Sequence, residues 1–377
     1  MQRVLIVVLL GFIFCLSAVY TYRKSGGLIS FYGGDPLRRK GRIIRAGVAL
    51  IVGVICANMR HTSAMVALHL IFLFLIQDLA AGLLRLLFRR GKERHYYQLL
   101  HKVYHCGLVP VAIFFVFMIY GFVNMGHVQE KDYTVSTVKE IGDYRIAFVS
   151  DIHYGTIQSR DVVREAFDEI QSKKPDILIL GGDIVEENTS KESMEEIFAM
   201  AGKVKTTYGT YFVYGNHDKQ PYTENPDYTG EELAKAIEKN GIRILQDSYV
   251  EINGELILAG RDDAGWSNTS GRKTTEELLQ KFSEREREEK YILVVDHQPV
   301  EAEDNAEAGV DLELSGHTHA GQIWPVGHFT EMAGQLNYGM YQRGKCKVIV
   351  SSGVAGWGYA LRTQGDCEYM LINLKKQ

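Results

Sequence analysis

Tyr144-Arg145-Ile146-Ala147-Phe148-Val149-Ser150-Asp151-Ile152-His153 reads as a buried strand whose end delivers a carboxylate and an imidazole two residues apart. In extended backbone such residues face the same side, so Asp151 and His153 can reach one ion while Ile152 turns into the core. Downstream, Val162, Val163, Ala166, Phe167 and Ile170 recur at helical spacing, and Lys173-Lys174-Pro175 closes that helix. Residues 176–180 form a second strand, apolar enough to be covered on both faces, that runs into Gly181-Gly182-Asp183. Strand, helix, strand is a βαβ unit with functional residues at the strands' carboxyl ends, so Asp151 and Asp183 should emerge side by side. The fold class is therefore α/β.

The same logic extends along the chain. A helix near 190–204 and a strand near 210–214 lead to Gly215-Asn216-His217-Asp218, where Asn216 offers a neutral carbonyl oxygen. Residues 219–228 form a turn-rich loop, placed to shape access to that motif. A helix over 231–240 and strands near 242–245, 249–252 and 256–259 follow, with Asn253-Gly254 signalling a hairpin. Asp263, just beyond, is a minor candidate beside the site. The charged run 273–290 reads as a solvated helix before a strand at 291–295 and Asp296-His297-Gln298-Pro299. A strand at 312–315 delivers Ser315-Gly316-His317-Thr318-His319, and residues 348–352 and 369–374 supply closing strands. Singly, an Asp-x-His, a Gly-Asp or a His-x-His pair is ordinary in turns and caps. Five in this order are not.

In that order the motifs resemble the calcineurin-like metallophosphoesterase superfamily, over about two thirds of the chain from Asp143 onward, and most resemble its membrane-anchored bacterial YkuE-like branch. The resemblance implies a four-layer α-β-β-α sandwich and two divalent metal ions. Asp151, His153 and His319 would hold one ion, Asn216, His297 and His317 the other, and Asp183 would bridge them. It also implies attack by a hydroxide bridging the ions, with His217 as the catalytic group and Asp218 orienting its ring. Oxygen and nitrogen ligands without thiolate admit Mn, Fe, Zn or Co. Ile184-Val185-Glu186-Glu187 stands where the Ser/Thr phosphatases carry Asp-Arg-Gly, which disfavours that activity. Arg362 matches a recurrent arginine, while Asp366-Cys367 replaces the usual Pro-Glu.

Composition divides the chain. Through Gly126 there are 15 Lys/Arg against 3 Asp/Glu; the remainder carries 27 against 43, a formal charge of −16 that disfavours nucleic-acid binding. Apolar runs at 4–20, 44–59, 63–88 and 104–125 make an N-terminal helical membrane domain of about four transmembrane helices, or three if the short second run does not cross. The first run lacks a cleavage site suited to a removed leader. The domains read as 1–126 in the membrane, 127–142 as linker and 143–377 as the metallophosphoesterase domain. Arg23, Lys24, Arg38, Arg39, Lys40 and Arg42 after the first run, and Arg89, Arg90, Lys92, Arg94 and Lys102 after the third, place those loops in the cytoplasm and the C-terminal domain outside it. Asp78, inside the third run, would pair with Arg85 seven residues on. Cys346 and Cys367 could pair if their strands are neighbours; unpaired core thiols are the alternative.

The function that follows is a membrane-anchored metal-dependent phosphoesterase acting on a phosphodiester or on a lipid or cell-envelope phosphoester. The alternative is a membrane sensor whose phosphoesterase-like domain only binds an anionic ligand.

Overall fold

The structure, a computed structural model, describes residues 2–87, 102–265 and 271–377. The chain divides into two compact units, Met1–Tyr120 and Gly121–Gln377. The first is helical: α1 (Gln2–Phe31), α2 (Arg39–Ala57), α3 (Thr62–Leu87) and most of α4 (Leu108–Met125). Among the described residues three helical stretches, Val7–Phe31, Thr62–Leu86 and Leu108–Met125, are long and apolar enough to cross a membrane. Helix α2 forms as expected, but Arg39, Lys40, Arg42 and Arg45 occupy its first turns and shorten its apolar part. A count of four spans is therefore not met by length and apolarity alone. Helices α1 and α2 approach closely because Gly53 leaves no side chain between them; a Cβ would lie 2.9 Å from the Phe14 ring. The basic cluster Arg89, Arg90, Lys92 and Arg94 lies outside the described residues.

Asp78 does not take Arg85 as its partner. It accepts from the hydroxyls of Tyr20 (2.8 Å) and Tyr104 (2.8 Å) and pairs with Lys24. Arg85 lies over the Tyr104 ring instead. Sharing a helix face with Asp78 is a weaker constraint than a lysine presented from α1.

The second unit contains two six-stranded sheets. One has the order β1 (Val128–Thr137), β12 (Cys367–Lys376), β2 (Tyr144–Val149), β3 (Ile177–Leu180), β4 (Thr210–Phe212), β5 (Ile242–Ile244). The other runs β10 (Gly339–Arg343), β11 (Cys346–Val350), β9 (Leu312–Ser315), β8 (Tyr291–Val295), β7 (Leu256–Gly260), β6 (Ser248–Ile252). Side-chain alternation explains why they stack. Ile146 and Phe148 of β2 join Leu293 and Val295 of β8 in one core between the sheets. Their neighbours Ala147 and Val149 turn outward onto α5 (Arg160–Ser172), α6 (Lys191–Ala201) and α7 (Gly230–Lys239) through Phe167, Phe198 and Ile237. Ile292 and Val294 turn the other way, onto Leu279 and Phe282. The result is the expected four-layer α-β-β-α sandwich.

Residues 127–142, read as a linker, contain β1, which pairs in parallel with β12 over ten positions from Val128↔Cys367 to Thr137↔Lys376. Its polar sequence suits an edge strand, and its partner is the last strand of the chain, so no local signal marks it. The hairpin at Asn253-Gly254 forms, with both residues at positive φ (52° and 74°). The charged run 273–290 becomes two short helices, α8 (Thr275–Leu279) and α9 (Glu284–Glu289), because Ser283 and Glu286 make a second capping box that restarts the helix. Two further short helices, α10 (Ala302–Glu307) and α11 (Val326–Met332), flank the second sheet's loops. Cys346 and Cys367 are buried free thiols, since β11 and β12 belong to different sheets.

Candidate metal centre

The loops after β2, β3, β8 and β9 bring six of the sequence-selected residues into two groups. Asp151, His153 and His319 form one, Asp183, His297 and His317 the other, and within each group the ligand atoms lie within 4.8 Å of one another. Asp183 faces both: its Oδ2 lies 3.2 Å from His297 Nε2 and 3.9 Å from His153 Nε2. Asp151 Oδ1 lies 3.5 Å from His319 Nε2 and also accepts the His317 backbone N–H at 3.0 Å. Asp151, His153, Asp183 and Asn216 are at most 5% exposed.

Backbone conformation aims these side chains. Asp151, His153, Asp183, His317 and His319 all have φ between 44° and 70°, a left-handed region that costs non-glycine residues about 1–3 kcal/mol each. The extended geometry expected for Asp151-Ile152-His153 is thus replaced by a turn at the strand end. Two glycines are required by close approach. A Cβ at Gly215 would sit 2.3 Å from Asp183 Oδ1, and one at Gly316 would sit 2.3 Å from Asp151 Oδ2.

The donor set fits cations. Both ring nitrogens of His153, Nε2 of His297 and Oδ1 of Asn216 are buried with no hydrogen-bond partner. Nδ1 of His297 is 2.8 Å from the Gly181 carbonyl and Nδ1 of His319 is 3.0 Å from that of Ala355, contacts that fix the proton on Nδ1 and leave Nε2 as the ligand atom. Burial pushes His153 and His319 down to about 3 and His317 down to about 4, so all three rings are neutral at pH 7. Burial also opposes charge on His297 and Asp183, yet their mutual attraction wins: the histidine is lifted well above its ordinary value and the carboxyl held well below. Their opposite charges attract across 3.2 Å, at the place a cation would otherwise occupy.

His217 stands beside these groups, its ring 5.5 Å from that of His153, with its backbone N–H donating to Asp183 Oδ1 at 2.9 Å. Its ring is not oriented by Asp218. The Asp218 carboxylate instead accepts the backbone N–H groups of Asp183, Ile184, Val185 and Gly215, at 2.6 to 3.2 Å, and so ties the Asp183 loop to the His217 loop. The ring's partner is Glu187, whose Oε2 lies 2.7 Å from Nδ1. Burial opposes charge on His217, but the bond to Glu187 and the charges of Asp183 and Glu187 outweigh it and raise the ring above its ordinary value. Glu186 lies 3.6 Å from Nδ1 of His153. Sequence reasoning used Glu186 and Glu187 only as a departure from the phosphatase pattern; two acids a helical turn beyond Asp183 were the available signal.

Tyr222 and Trp357 pack on His217, with ring centroids 5.2 Å and 5.4 Å away. Asp263 accepts from the Gln298 side chain at 2.9 Å and adds to the field that favours charged His297. Arg362 is wholly buried and donates to the carbonyls of Ser352 (2.8 Å) and Ala355 (2.9 Å), holding the loop that carries Trp357 rather than reaching outward.

Residues 144–321 match the model of the calcineurin-like phosphoesterase family, and that segment holds all seven expected ligands and His217. An uncharacterized metallophosphoesterase of Campylobacter jejuni is 27% identical over 318 residues, covering 81% of this chain and 78% of that protein. The uncharacterized metallophosphoesterase YkuE of Bacillus subtilis is 25% identical over 243 residues, 62% of this chain and 79% of its own. A transmembrane protein with metallophosphoesterase domain from Danio rerio is 26% identical over 285 residues, 71% of this chain and 62% of that protein.

Proposed function

We propose that this chain is a membrane-anchored, dinuclear metal-dependent hydrolase that cleaves a phosphodiester or a lipid or cell-envelope phosphoester. The observation that carries the reading is the placement of Asp183 Oδ2 against one histidine from each ligand group, as a bridging carboxylate requires. In this reading Asp151, His153 and His319 hold one divalent ion, Asn216, His297 and His317 the second, and Asp183 both. When bound, such a pair polarises a phosphoryl oxygen and brings the pKa of a water to about 7.

The remaining chemistry belongs to side chains. Glu187 engages Nδ1 of His217, stabilises the imidazolium and leaves Nε2–H as the ring's donor to a phosphoryl oxygen or a departing alkoxide. Tyr222 and Trp357 hold the ring from two sides. Asp218 fixes the backbone on which Asp183 and His217 are mounted.

The catalytic unit is assigned to the extracytoplasmic side of four crossings, α2 included. Arg38 just before α2 and Arg39, Lys40 and Arg42 in its first turn gather at the α1–α2 end, whereas Arg60 is the one Lys or Arg between α2 and α3. A C-terminal alkaline phosphatase fusion should be active; an inactive one reverses the assignment.

The test uses the full-length protein in detergent with bis(p-nitrophenyl) phosphate. Turnover should depend on added Mn, His217→Ala should lower kcat about 10²- to 10⁴-fold with metal content retained, and Asp183→Asn should lower bound metal below two per chain. Absence of turnover with any divalent ion, or an unaffected His217→Ala, favours a ligand-binding module instead.

A further inference from the structure

The loop that carries Trp357 has two neighbours. On one side Trp357 lies 5.4 Å from the His217 ring. On the other, residues 356–367 hold the last turn of α4, Gly121 to Met125, which belongs to the second compact unit. The Arg362 N–H donates to the Gly121 carbonyl at 3.0 Å, and the Asn124 side chain donates to the carbonyls of Gly365 (2.7 Å) and Arg362 (3.2 Å). Asn124 and Met125 are each 5% exposed, and α4 is one of the helices able to cross a membrane.

Helix α11 stands on the same loop. It follows the His317–His319 motif directly, and its start is pinned by the Trp324 N–H on Thr363 Oγ1 (3.0 Å) and the Gly327 N–H on Gln364 Oε1 (3.0 Å). Gln322 ties the pieces together: its Oε1 accepts the Trp357 N–H at 2.8 Å and its Nε2 donates to the Leu361 carbonyl at 3.1 Å. Val326, Phe329 and Met332, three residues apart and hence on one helical face, are 45%, 58% and 84% exposed. Trp357 adds a ring that is 45% exposed. Four exposed apolar side chains gathered beside the end of an apolar span, with the exposed His328–Glu331 pair on the same helix, mark a contact surface rather than singly scattered surface hydrophobics.

We propose that this rim, made of Val326, Phe329, Met332 and Trp357, is a bilayer-docking surface. It seats the mouth of the metal centre on the membrane, and the phosphoester it receives belongs to an amphiphile still resident in that membrane. The proposal rests on the hydrolase reading for its substrate and narrows that substrate to a membrane lipid phosphoester. The occupant is a bilayer because α4 emerges from one within hydrogen-bonding distance of the loop bearing the rim. Apolar insertion, not charge, must drive the contact: the chain beyond Gly126 carries a formal −16, which an anionic lipid surface repels. Docking is therefore not weakened by salt, which screens only the repulsion.

The full-length protein in lipid nanodiscs tests this in two arms. In the first, a photoreactive phenylalanine analogue replaces Phe329, Met332 or Val138, the last 80% exposed and just past the far end of β1. Ten strand residues place it about 30 Å from the start of β1, which follows α4 closely. Lipid adducts should form at 329 and 332, at low and high salt alike, and not at 138; no adduct at 329 and 332, or equal adducts at all three, overturns the docking surface. In the second arm, p-nitrophenyl hexadecyl phosphate embedded in the bilayer is compared with soluble p-nitrophenyl methyl phosphate, which has the same leaving group. The embedded ester should turn over at least tenfold better, and F329E/M332E should abolish that advantage while leaving the soluble ester unchanged. An absent advantage, or equal loss on both esters, overturns the substrate assignment. If neither ester is cleaved by the wild type with Mn, the hydrolase reading fails and the adducts still decide the docking surface.

Discussion

Replacing Glu187 by Gln removes one negative charge while keeping the shape of the contact to His217. The pair is 2.7 Å apart with side chains 11% and 13% exposed, so little solvent screens it. A hydrogen bond to a charged group is worth about 1.5–3 kcal/mol. At about 1.4 kcal/mol per factor of ten, its loss lowers the ratio of imidazolium to imidazole about 10- to 100-fold. The sign follows from the direction of the shift. Glu187 raises His217, so its loss lets the ring deprotonate at lower pH, and the alkaline limb of kcat moves toward acid. At pH 8 kcat should fall about 10- to 100-fold, the loss should shrink toward pH 6, and KM should barely change, because the ring acts on charge that develops during the reaction. The assay is kcat and KM for bis(p-nitrophenyl) phosphate from pH 5 to 9 with Mn saturating, alongside metal content. A loss of kcat uniform across pH, or reduced metal content, would refute Glu187 as the positioning residue of a catalytic acid.

Other consequences lie deeper in the fold. Glu313 is wholly buried and receives hydrogen bonds from Asn305 Nδ2 (2.8 Å) and Ser315 Oγ (3.0 Å). Burial, with the nearby Asp296 charge, pushes it up to about 7 from an ordinary 4.5. A raised carboxyl makes the folded state bind the extra proton, so stability declines as pH rises from about 4.5 to about 7. Glu313→Gln should accordingly gain about 3 kcal/mol above pH 7 and nothing below pH 4.5, read from thermal unfolding across pH; a pH-independent effect contradicts the account. Asp218→Ala orphans four buried backbone N–H groups and should cost at least about 3 kcal/mol, lowering the unfolding midpoint of the metal-free protein; a variant inactive at unchanged stability would return Asp218 to a direct role.

The βαβ reading around Asp151 and Asp183 was legible because strand and helix periodicities are local, and because functional residues collect at strand ends whatever the rest of the chain does. The family resemblance supplied the grouping of ligands from five separate loops, which no local pattern contains. Helix α2 shows the opposite limit, since composition can locate an apolar run without deciding whether a helix with four basic residues in its first turns crosses a membrane.

By itself, then, the sequence determined the α/β class, the membrane-capable helices and the identity of the metal-ligand candidates, since these depend on spacing and composition along the chain. Tertiary structure decided what depends on encounters between distant segments. It made β1 an edge strand on β12, gave Asp78 to Lys24, Tyr20 and Tyr104, and set Glu187 rather than Asp218 on the His217 ring. Adjacent carboxylates are chemically interchangeable as letters; which one reaches an imidazole is settled by the direction the backbone turns, and here that turn spends Asp218 on four amides.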